Sequence, residues 1–215
     1  GWDNSGLCIG SGEDAVTSVL LGLDCTPELV DEAVACGADM IVTHHPLIFS
    51  GLKKISPDDP VGEAVIKAIK AGISIYAAHT SADKVIAGVS GAMASRLGLV
   101  NVSILDEDGD GTGLGVVGDL PEPMDFPHVL ELVKDRFALK ALRASRPVEG
   151  KVSRVAMCGG SGGSLIGAAM KSGAQLYISG DISYHHFFTR EGFMLMDIGH
   201  YESEIEIVDI LFSLI

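Results

Sequence analysis

The chain has 215 residues, of which 47% are hydrophobic and 20% are charged, so it can bury a sizeable core and is not intrinsically disordered. Its 15 lysine and arginine residues stand against 29 aspartate and glutamate residues, which gives a formal net charge of −14. Because nucleic acids and anionic membranes attract basic surfaces, this balance makes both of them unfavourable partners.

Strands and helices alternate in the first half of the chain, and several boundaries carry clear signals. Thr26 offers a capping oxygen, Pro27 stands at the first helical position and Gly37 follows the last apolar repeat. Asp59 and Pro60 begin a second helix in the same way. The elements predicted for this half are strand 16–23, helix 27–36, strand 40–43, helix 60–71, strand 73–78 and helix 88–97.

A second run of strands and helices follows an acidic, glycine-rich loop at 106–113. Since helices separate the strands, we expect crossover connections and mostly parallel pairing. The predicted fold is α/β, with a first lobe (1–105), a connecting segment (106–150), and a second lobe (151–215) that completes a site between the lobes. The remaining predicted elements are strand 114–118, helix 126–138, strand 141–145, strand 153–157, helix 164–171, strand 175–179, helix 182–191, strand 194–198 and a helix from about 201.

The two lobes echo each other in sequence. Segment 37–45 resembles 173–181, and segment 71–83 resembles 191–204. In the second pair, a glycine and an apolar strand lead to a histidine that is followed four residues later by an acid: His79 with Asp83, and His200 with Glu204. This repetition predicts two pseudo-symmetric α/β lobes.

Six of the seven histidines stand at predicted strand ends or on the helices that follow them; the seventh, His128, is predicted on a helix surface. Ligands of open α/β sheets bind beyond the carboxyl ends of strands, which is where His44 and His45 occur. Adjacent histidines there point in different directions, so each can serve one of two neighbouring metal ions. A lone histidine would more often be a hydrogen-bonded core residue.

His200 and Glu204 are spaced to share one helix face, with Cβ atoms roughly 5–6 Å apart. Imidazole and carboxylate together suit Zn, Fe, Mn or Ni better than Ca. Asp83 adds an anionic ligand, and the two oxygens of Glu204 can bridge two ions. The alternative for His200 and Glu204 is an ordinary surface pair.

Other motifs give weaker signals. Asp106, Asp108 and Asp110 imitate the start of a calcium loop, but the twelfth position is Val117, so we interpret this segment as a solvated turn. The segment 159–164 lacks a nucleotide-binding pattern, although its backbone N–H groups could hold an anion. No two of the four cysteines are close in sequence, which favours small buried thiols over a metal or disulfide pair.

Five motifs together resemble the Nif-three-like dinuclear metal-centre family, whose members are often called GTP cyclohydrolase I type 2. The similarity runs from residue 2 to about 206. The motifs are WDNSGL (2–7), THHPLIF (43–49), AHT with an aspartate (78–83), SGDISYH (179–185) and GHYESE (199–204).

The resemblance implies two α/β lobes, two divalent metal ions per chain (Zn, Fe, Mn or Ni) and a toroidal homo-hexamer. The family's ligands fall on His44, His45, Asp83, His200 and Glu204. His79 and His185 match polar residues near the metals, and we assign them, with Glu204, to catalytic roles.

Two functions follow from these observations. One is a cytoplasmic, metal-dependent hydrolase that uses a metal-bridging water on a small-molecule substrate such as a nucleotide. The other is a non-catalytic metal-binding or regulatory protein that forms the hexameric ring. Water positions left open on the metals would favour the enzyme, whereas a closed ligand shell would favour the second function.

Overall fold

The computed structural model describes residues 3–215, so Trp2 of the WDNSGL motif lies outside the described residues. The chain divides into two compact units. The first unit runs up to Ala82 and also includes Ile207–Ile215, and the second unit is Asp83–Glu206. Residues 106–150 therefore contribute to the sheet and helices of the second unit instead of forming a separate connecting segment.

The first unit contains a four-stranded mixed sheet. Its strands are β1 (Gly6–Ile9), β2 (Val19–Gly22), β3 (Met40–Thr43) and β4 (Ser74–Ala77). They lie in the order β1-β4-β3-β2; β2, β3 and β4 are parallel, and β1 pairs antiparallel to β4 at the edge. Its helices are α1 (Pro27–Cys36), α2 (Pro60–Ala71) and α8 (Ile207–Leu214), and the short α3 (His79–Asp83) begins here.

The caps of α1 and α2 confirm the boundaries predicted from the sequence. The Thr26 hydroxyl accepts from the N–H of Leu29, and the Asp59 carboxylate accepts from the N–H of Gly62. Gly37 and Gly72 end the two helices in the left-handed region, at φ 73° and 69°. A side-chain cap of this kind contributes about 1 kcal/mol. Both helices bury their apolar faces against the sheet in a core of Val30, Ala33, Ile41, Ala64, Val65, Ala68 and Ile75.

The second unit contains a six-stranded mixed sheet. Its strands are β5 (Val100–Glu107), β6 (Gly113–Met124), β7 (Arg143–Ala144), β8 (Val152–Ser161), β9 (Leu176–Gly180) and β10 (Met194–Asp197). They lie in the order β5-β6-β8-β9-β10-β7; β8, β9 and β10 are parallel, whereas β5 with β6, β6 with β8 and β7 with β10 pair antiparallel. Its helices are α4 (Val89–Leu97), α5 (Phe126–Arg136), α6 (Ile166–Lys171) and α7 (His200–Glu204).

Two elements of the second unit differ from the sequence prediction. β5 was not predicted: it forms a hairpin with β6, so the acidic loop shrinks to a turn between Glu107 and Gly113. The residues Val100–Ile104 do alternate between apolar and polar side chains, so the sequence carried a strand signal here that the prediction did not use. The antiparallel hairpin also makes the sheet more mixed than expected.

The helix predicted over 182–191 is the second difference, since the structure has only a 3-10 turn at Tyr184–Phe187. The reason lies at Ile182. Its N–H donates to the Asp197 carboxylate at 2.9 Å, and its carbonyl accepts from the Arg143 guanidinium at 3.0 Å. The Ile182 carbonyl, which would accept the first hydrogen bond of an α-helix, is therefore used by the Arg143 side chain.

The predicted echo between the halves is present in the strand topology. In the first unit β3 lies parallel to β4, which leads to α3, and in the second unit β9 lies parallel to β10, which leads to α7. Each of these helices begins at a histidine, His79 or His200, and ends at the acid four residues later. Among the described residues, no helix is both long and apolar enough to cross a bilayer.

Candidate metal centre

His44 and His45 extend from the carboxyl end of β3 in the first unit. Their backbone N–H groups donate to the carbonyls of Gly22 and Leu23, so they continue the parallel ladder beyond the strand. His44 is fully buried and His45 is half-buried. The ring centroids of the two histidines are 4.8 Å apart. The strand end therefore presents two imidazoles side by side, as the sequence predicted.

His79 joins this pair from the end of β4. Its backbone N–H donates to the His44 carbonyl at 2.8 Å, and its ring centroid lies 5.7 Å from that of His44 and 6.0 Å from that of His45. The backbone at His79 has a φ of 28°, a value that residues other than glycine rarely adopt. Strained conformations of this kind persist only where the surrounding structure imposes them, and they concentrate at functional sites.

Three of the histidines predicted at the site each contact an aspartate through Nδ1. The partners are Asp24 for His45 at 2.8 Å, Asp3 for His79 at 2.5 Å, and Asp181 for His200 at 2.8 Å. When Nδ1 donates to a carboxylate, the ring is oriented and Nε2 keeps its lone pair, which is the usual arrangement of metal-binding histidines.

None of these three aspartates was predicted to act at the site. Asp3 and Asp181 lie in the WDNSGL and SGDISYH motifs, and Asp24 directly follows a strand, so their positions were the available signal. The sequence did not indicate which histidine each aspartate would contact.

Asp3 is held by several donors. Its Oδ1 accepts from the N–H of Asn4 at 2.8 Å, and its Oδ2 accepts from the Ser5 hydroxyl at 2.6 Å. Burial by itself would raise the pKa of this carboxyl, but hydrogen bonds from Ser5, His79 and Thr80 outweigh it and hold the pKa well below the usual range. Asp3 is therefore an anion at neutral pH.

In the second unit, His200 and Glu204 lie at the two ends of α7, and the His200 Nε2 is 3.0 Å from a carboxylate oxygen of Glu204. Glu204 is 4% exposed. The hydrogen bond that His200 donates to Glu204 is the largest cause that raises the pKa of His200 to about 9, with Asp181 adding to it and burial acting against it. The helix starts at His200, which confirms that both side chains share one face.

The backbone of Gly160 approaches this pair closely. A Cβ atom added there would lie 2.2 Å from Glu204 Oε1 and 3.3 Å from His200 Nε2, and Gly160 has a φ of 60°. Only glycine leaves room for the carboxylate at this point of β8.

The glycine-rich segment that the sequence offered as an anion site is filled from within the unit. Its backbone N–H groups donate to serine hydroxyls: Gly159 to Ser90 at 3.3 Å, Gly160 to Ser203 at 2.9 Å and Gly162 to Ser179 at 3.0 Å. The structure therefore gives no support to an anion at these groups. The segment instead packs against α7.

Asp83 ends α3 and is the first residue of the second unit. Burial, with smaller contributions from the charges of Asp83 and Glu204, raises the pKa of the Cys158 thiol to about 12. Both carboxylates therefore lie near this buried thiol. Among the described residues the four cysteines form no disulfide, and only Cys158 is fully buried.

The other three histidines, His128, His185 and His186, are exposed. His185 lies in the 3-10 turn, with its ring centroid 5.3 Å from that of Tyr184. His128 pairs with Asp125 at 2.6 Å on the surface of α5, as predicted. The acidic residues of the hairpin turn also bond locally, with Asp108 accepting from Lys84 and Asp110 from Thr112, which fits a solvated turn.

Comparison with known proteins gives the chain a family. The sequence model described as Duf34/NIF3 (NGG1p interacting factor 3) matches residues 1–215. The chain belongs to the DUF34/NIF3 family. It is 36% identical over 208 residues to a Clostridium perfringens protein named "GTP cyclohydrolase 1 type 2 homolog", covering 95% of this chain and 79% of that protein.

Solved structures of the DUF34/NIF3 family share the fold. A crystal structure of a hypothetical protein from Staphylococcus aureus matches with a TM-score of 0.91 at 29% identity, over 99% of this chain and 84% of that one. A Bacillus cereus protein related to NIF3 matches with a TM-score of 0.85 at 27% identity, over 96% of this chain and 84% of that one. Both likenesses support the α/β fold with two mixed sheets.

The donor atoms suit a transition metal. Neutral imidazole and carboxylate are the ligands that Zn, Fe, Mn and Ni accept, and the aspartates behind three of the imidazoles supply the second layer of hydrogen bonds that such sites use. On the chemistry of their side chains, the predicted ligands of this chain fit a divalent ion.

Proposed function

We propose that this protein binds two divalent metal ions and is a metal-dependent hydrolase. The ligands in this proposal are His44 and His45 from the first unit with Asp83, His200 and Glu204 from the second, and their imidazole and carboxylate groups are of the kind that holds such ions. The observation that carries the proposal is the contact of His45 with Asp24 through Nδ1, since this leaves Nε2 as the metal-binding atom. At His200, a metal ion would replace the proton that Nε2 shares with Glu204.

A bound divalent ion would supply Lewis acidity, which lowers the pKa of water and stabilises negative charge in hydrolysis. The protein's own contribution is to hold the donors in place. Burial of His44 and Glu204 limits access of bulk water to them, and Gly160 leaves the space that the Glu204 carboxylate fills. Glu204 would help to hold the ions through its two carboxylate oxygens.

The substrate class in this proposal is a small molecule with a hydrolysable carbon–nitrogen bond, such as a nucleotide. The name of the Clostridium perfringens relative supports GTP as the first compound to test. Exposed Phe49, whose ring centroid lies 6.0 Å from that of His79, offers an aromatic surface beside the histidines on which a heterocycle could stack.

A non-catalytic metal-binding protein is the second candidate function. It would be favoured if further protein ligands completed the coordination of both ions, because a filled ligand shell stabilises a fold without leaving a position for a substrate. In this case metal would raise thermal stability without any turnover.

We also propose a homo-oligomer, with a hexamer as the expected size on the family resemblance. Several large apolar side chains of α8 and the chain end are strongly exposed, among them Phe212, Leu214 and Ile215 at 71% to 76%. A second copy of the chain would bury such surface. Light scattering that gave a monomer at micromolar concentration would contradict this part of the proposal.

The test of the proposed function combines metal analysis with an activity assay. Protein purified without added metal is analysed by elemental mass spectrometry, then stripped, reloaded with Zn, Fe, Mn or Ni and incubated with GTP while the purine absorbance is followed. We expect two equivalents of metal per chain and metal-dependent ring opening. Hydrolysis that persists after complete chelation would contradict the proposal, and full metal content with no hydrolysis across a broader substrate panel would favour the non-catalytic function.

A further inference from the structure

We infer that Asp197, held by Arg143, positions the contact between Asp181 and His200. Asp197 is the last residue of β10, and its carboxylate joins the backbone beside Asp181 to the backbone beside His200. Asp197 and Arg143 are therefore positioning residues. Their effect on a bound metal rests on the proposed function, whereas their effect on the contact rests only on the second unit.

The two oxygens of Asp197 accept hydrogen bonds from two separate backbone segments. Oδ2 accepts from the N–H of Ile182 at 2.9 Å, and Oδ1 accepts from the N–H of Gly199 at 3.0 Å. Ile182 directly follows Asp181, and Gly199 directly precedes His200. One carboxylate that is only 5% exposed therefore fixes the spacing of the two segments that carry the pair.

The strands alone do not extend as far as this pair. The pairing of β9 with β10 brings the chain to Ser179 and Ile198, where the Ile198 N–H donates to the Ser179 carbonyl at 3.0 Å. Beyond these residues the backbone turns. Asp181 has a φ of 50°, which is costly for a residue with a Cβ atom, and Gly199 has a φ of 97°, which glycine allows. A carboxylate bonded beside both turns, as in Asp197, holds them in place.

Arg143 in turn holds the Asp197 carboxylate. The two residues face each other where β7 pairs antiparallel with β10, and the guanidinium donates both to Asp197 and, at 3.0 Å, to the Ile182 carbonyl. Cζ of Arg143 also lies 5.2 Å from the ring centroid of Phe187. Hydrogen bonds between ionised partners are the stronger ones, and a buried carboxylate without its cation is costly. The carboxylate is thus kept in place against Ile182 and Gly199.

Crystal structures of metal-free protein test the positioning directly. Asp197→Asn keeps the shape of the side chain, but its NH₂ group cannot accept, so one of the two backbone donors loses its partner. We expect the Asp181–His200 contact, 2.8 Å in the wild type, to lengthen beyond hydrogen-bonding distance. Asp119→Asn is the matched control, since it alters another arginine–aspartate pair of the same sheet, with Arg154, and should leave the contact unchanged. An unchanged contact in folded Asp197→Asn would overturn the inference.

Arg143→Gln replaces Asp197→Asn in this test if the latter does not fold. The Arg143 side chain is 59% exposed, so its replacement disturbs the core less. We expect the same lengthening of the Asp181–His200 contact, because the Asp197 carboxylate loses its guanidinium partner. A contact of wild-type length in this variant would then overturn the inference.

Zinc affinity, measured on the folded variants with a competing chelating dye, shows whether the positioning reaches the proposed ligand. We expect Asp197→Asn to bind zinc about 10-fold more weakly and Asp119→Asn to bind it as the wild type does. Asp181→Ala combined with Asp197→Asn should lose less affinity than the product of the two single losses, because both changes act on one contact. Losses that multiply independently would overturn the inference. A wild type that binds no zinc would contradict the proposed function, and the metal-free structures would still decide whether Asp197 sets the contact.

Discussion

Oδ2 of Asp181 lies 2.8 Å from Nδ1 of His200, and this contact links the residue after β9 to the first residue of α7. Asp181 has a φ of 50°, so its backbone turns sharply where the strand ends. The same carboxylate–imidazole relationship occurs in the first unit between Asp24 and His45. Both units therefore orient a proposed ligand from a residue at the end of a neighbouring parallel strand.

Replacing Asp181 should weaken metal binding without removing a ligand. In Asp181→Ala the His200 ring loses its hydrogen bond through Nδ1, and metal affinity should fall about 10- to 100-fold. Competition with a chelating dye measures this affinity. Asp125→Ala, which removes the surface contact with His128, is the control and should leave affinity unchanged. Equal affinity in both variants would show that Asp181 does not act on the site.

Replacing Glu204 should have a larger effect, because it removes the proposed bridging ligand itself. We expect Glu204→Ala to lose most of its metal after dialysis, as measured by elemental analysis. Glu131→Ala is the control, since the side chain of Glu131 is 74% exposed on α5. Two full equivalents of metal in Glu204→Ala would remove Glu204 from the ligand set.

Gly160→Ala tests the space around the Glu204 carboxylate. The added Cβ would lie 2.2 Å from Glu204 Oε1, and φ 60° is unfavourable for alanine, so we expect loss of metal together with reduced thermal stability. Gly167→Ala provides the matched control, because its Cβ would meet no atom within 4 Å and alanine favours the helix of α6. Unchanged metal content in Gly160→Ala would show that the carboxylate can be displaced without consequence.

The cysteines should differ in their reaction with iodoacetamide. Burial raises the pKa of Cys158 and of Cys25 to about 12, so their thiolate populations at neutral or mildly alkaline pH are very small. Cys36 is exposed. Mass spectrometry of native protein should find Cys36 modified first, and denatured protein should show modification at all three positions. Early modification of Cys158 in native protein would contradict its burial.

Asp39 should make stability depend on pH. Hydrogen bonds from the backbone and hydroxyl of Thr17, and from the backbone of Ser18, lower the pKa of the Asp39 carboxyl. Its contribution to folding is thus present above the unfolded carboxyl pKa, near ~3.9, and is lost as pH falls through the lower folded value. The stability difference between wild type and Asp39→Ala, from urea unfolding, should shrink in that acid range. Glu149→Ala, at an exposed position, should show no such trend.

Much of the fold could be predicted because its signals are local. The cap of α1 depends on Thr26, Pro27 and Gly37, which are close in the chain, and the structure places the helix where they indicated. The position of His44 and His45 at a strand end could be predicted for the same reason, because the strand directly precedes them in the chain. The position of His200 at the start of α7 also followed from its spacing to Glu204.

The missing parts depend on residues that are distant in sequence. Asp3 and His79 are 76 residues apart, and their contact arises only because β1 pairs with β4. The helix predicted at 182–191 is absent for a similar reason, since Asp197 and Arg143 form hydrogen bonds with the backbone of Ile182. Local patterns cannot report such long-range competition for hydrogen bonds.

The hairpin turn between β5 and β6 has a practical consequence for engineering the chain. Its residues are exposed, and it joins two antiparallel strands at an edge of the six-stranded sheet, away from the consecutive strands β9 and β10 that lead to His200. Exposed turns of this kind tolerate inserted sequence because no buried backbone hydrogen bond is broken. A peptide tag or reporter domain grafted into this turn would leave the ends of those strands undisturbed, so the turn offers an attachment point for immobilising or imaging the protein.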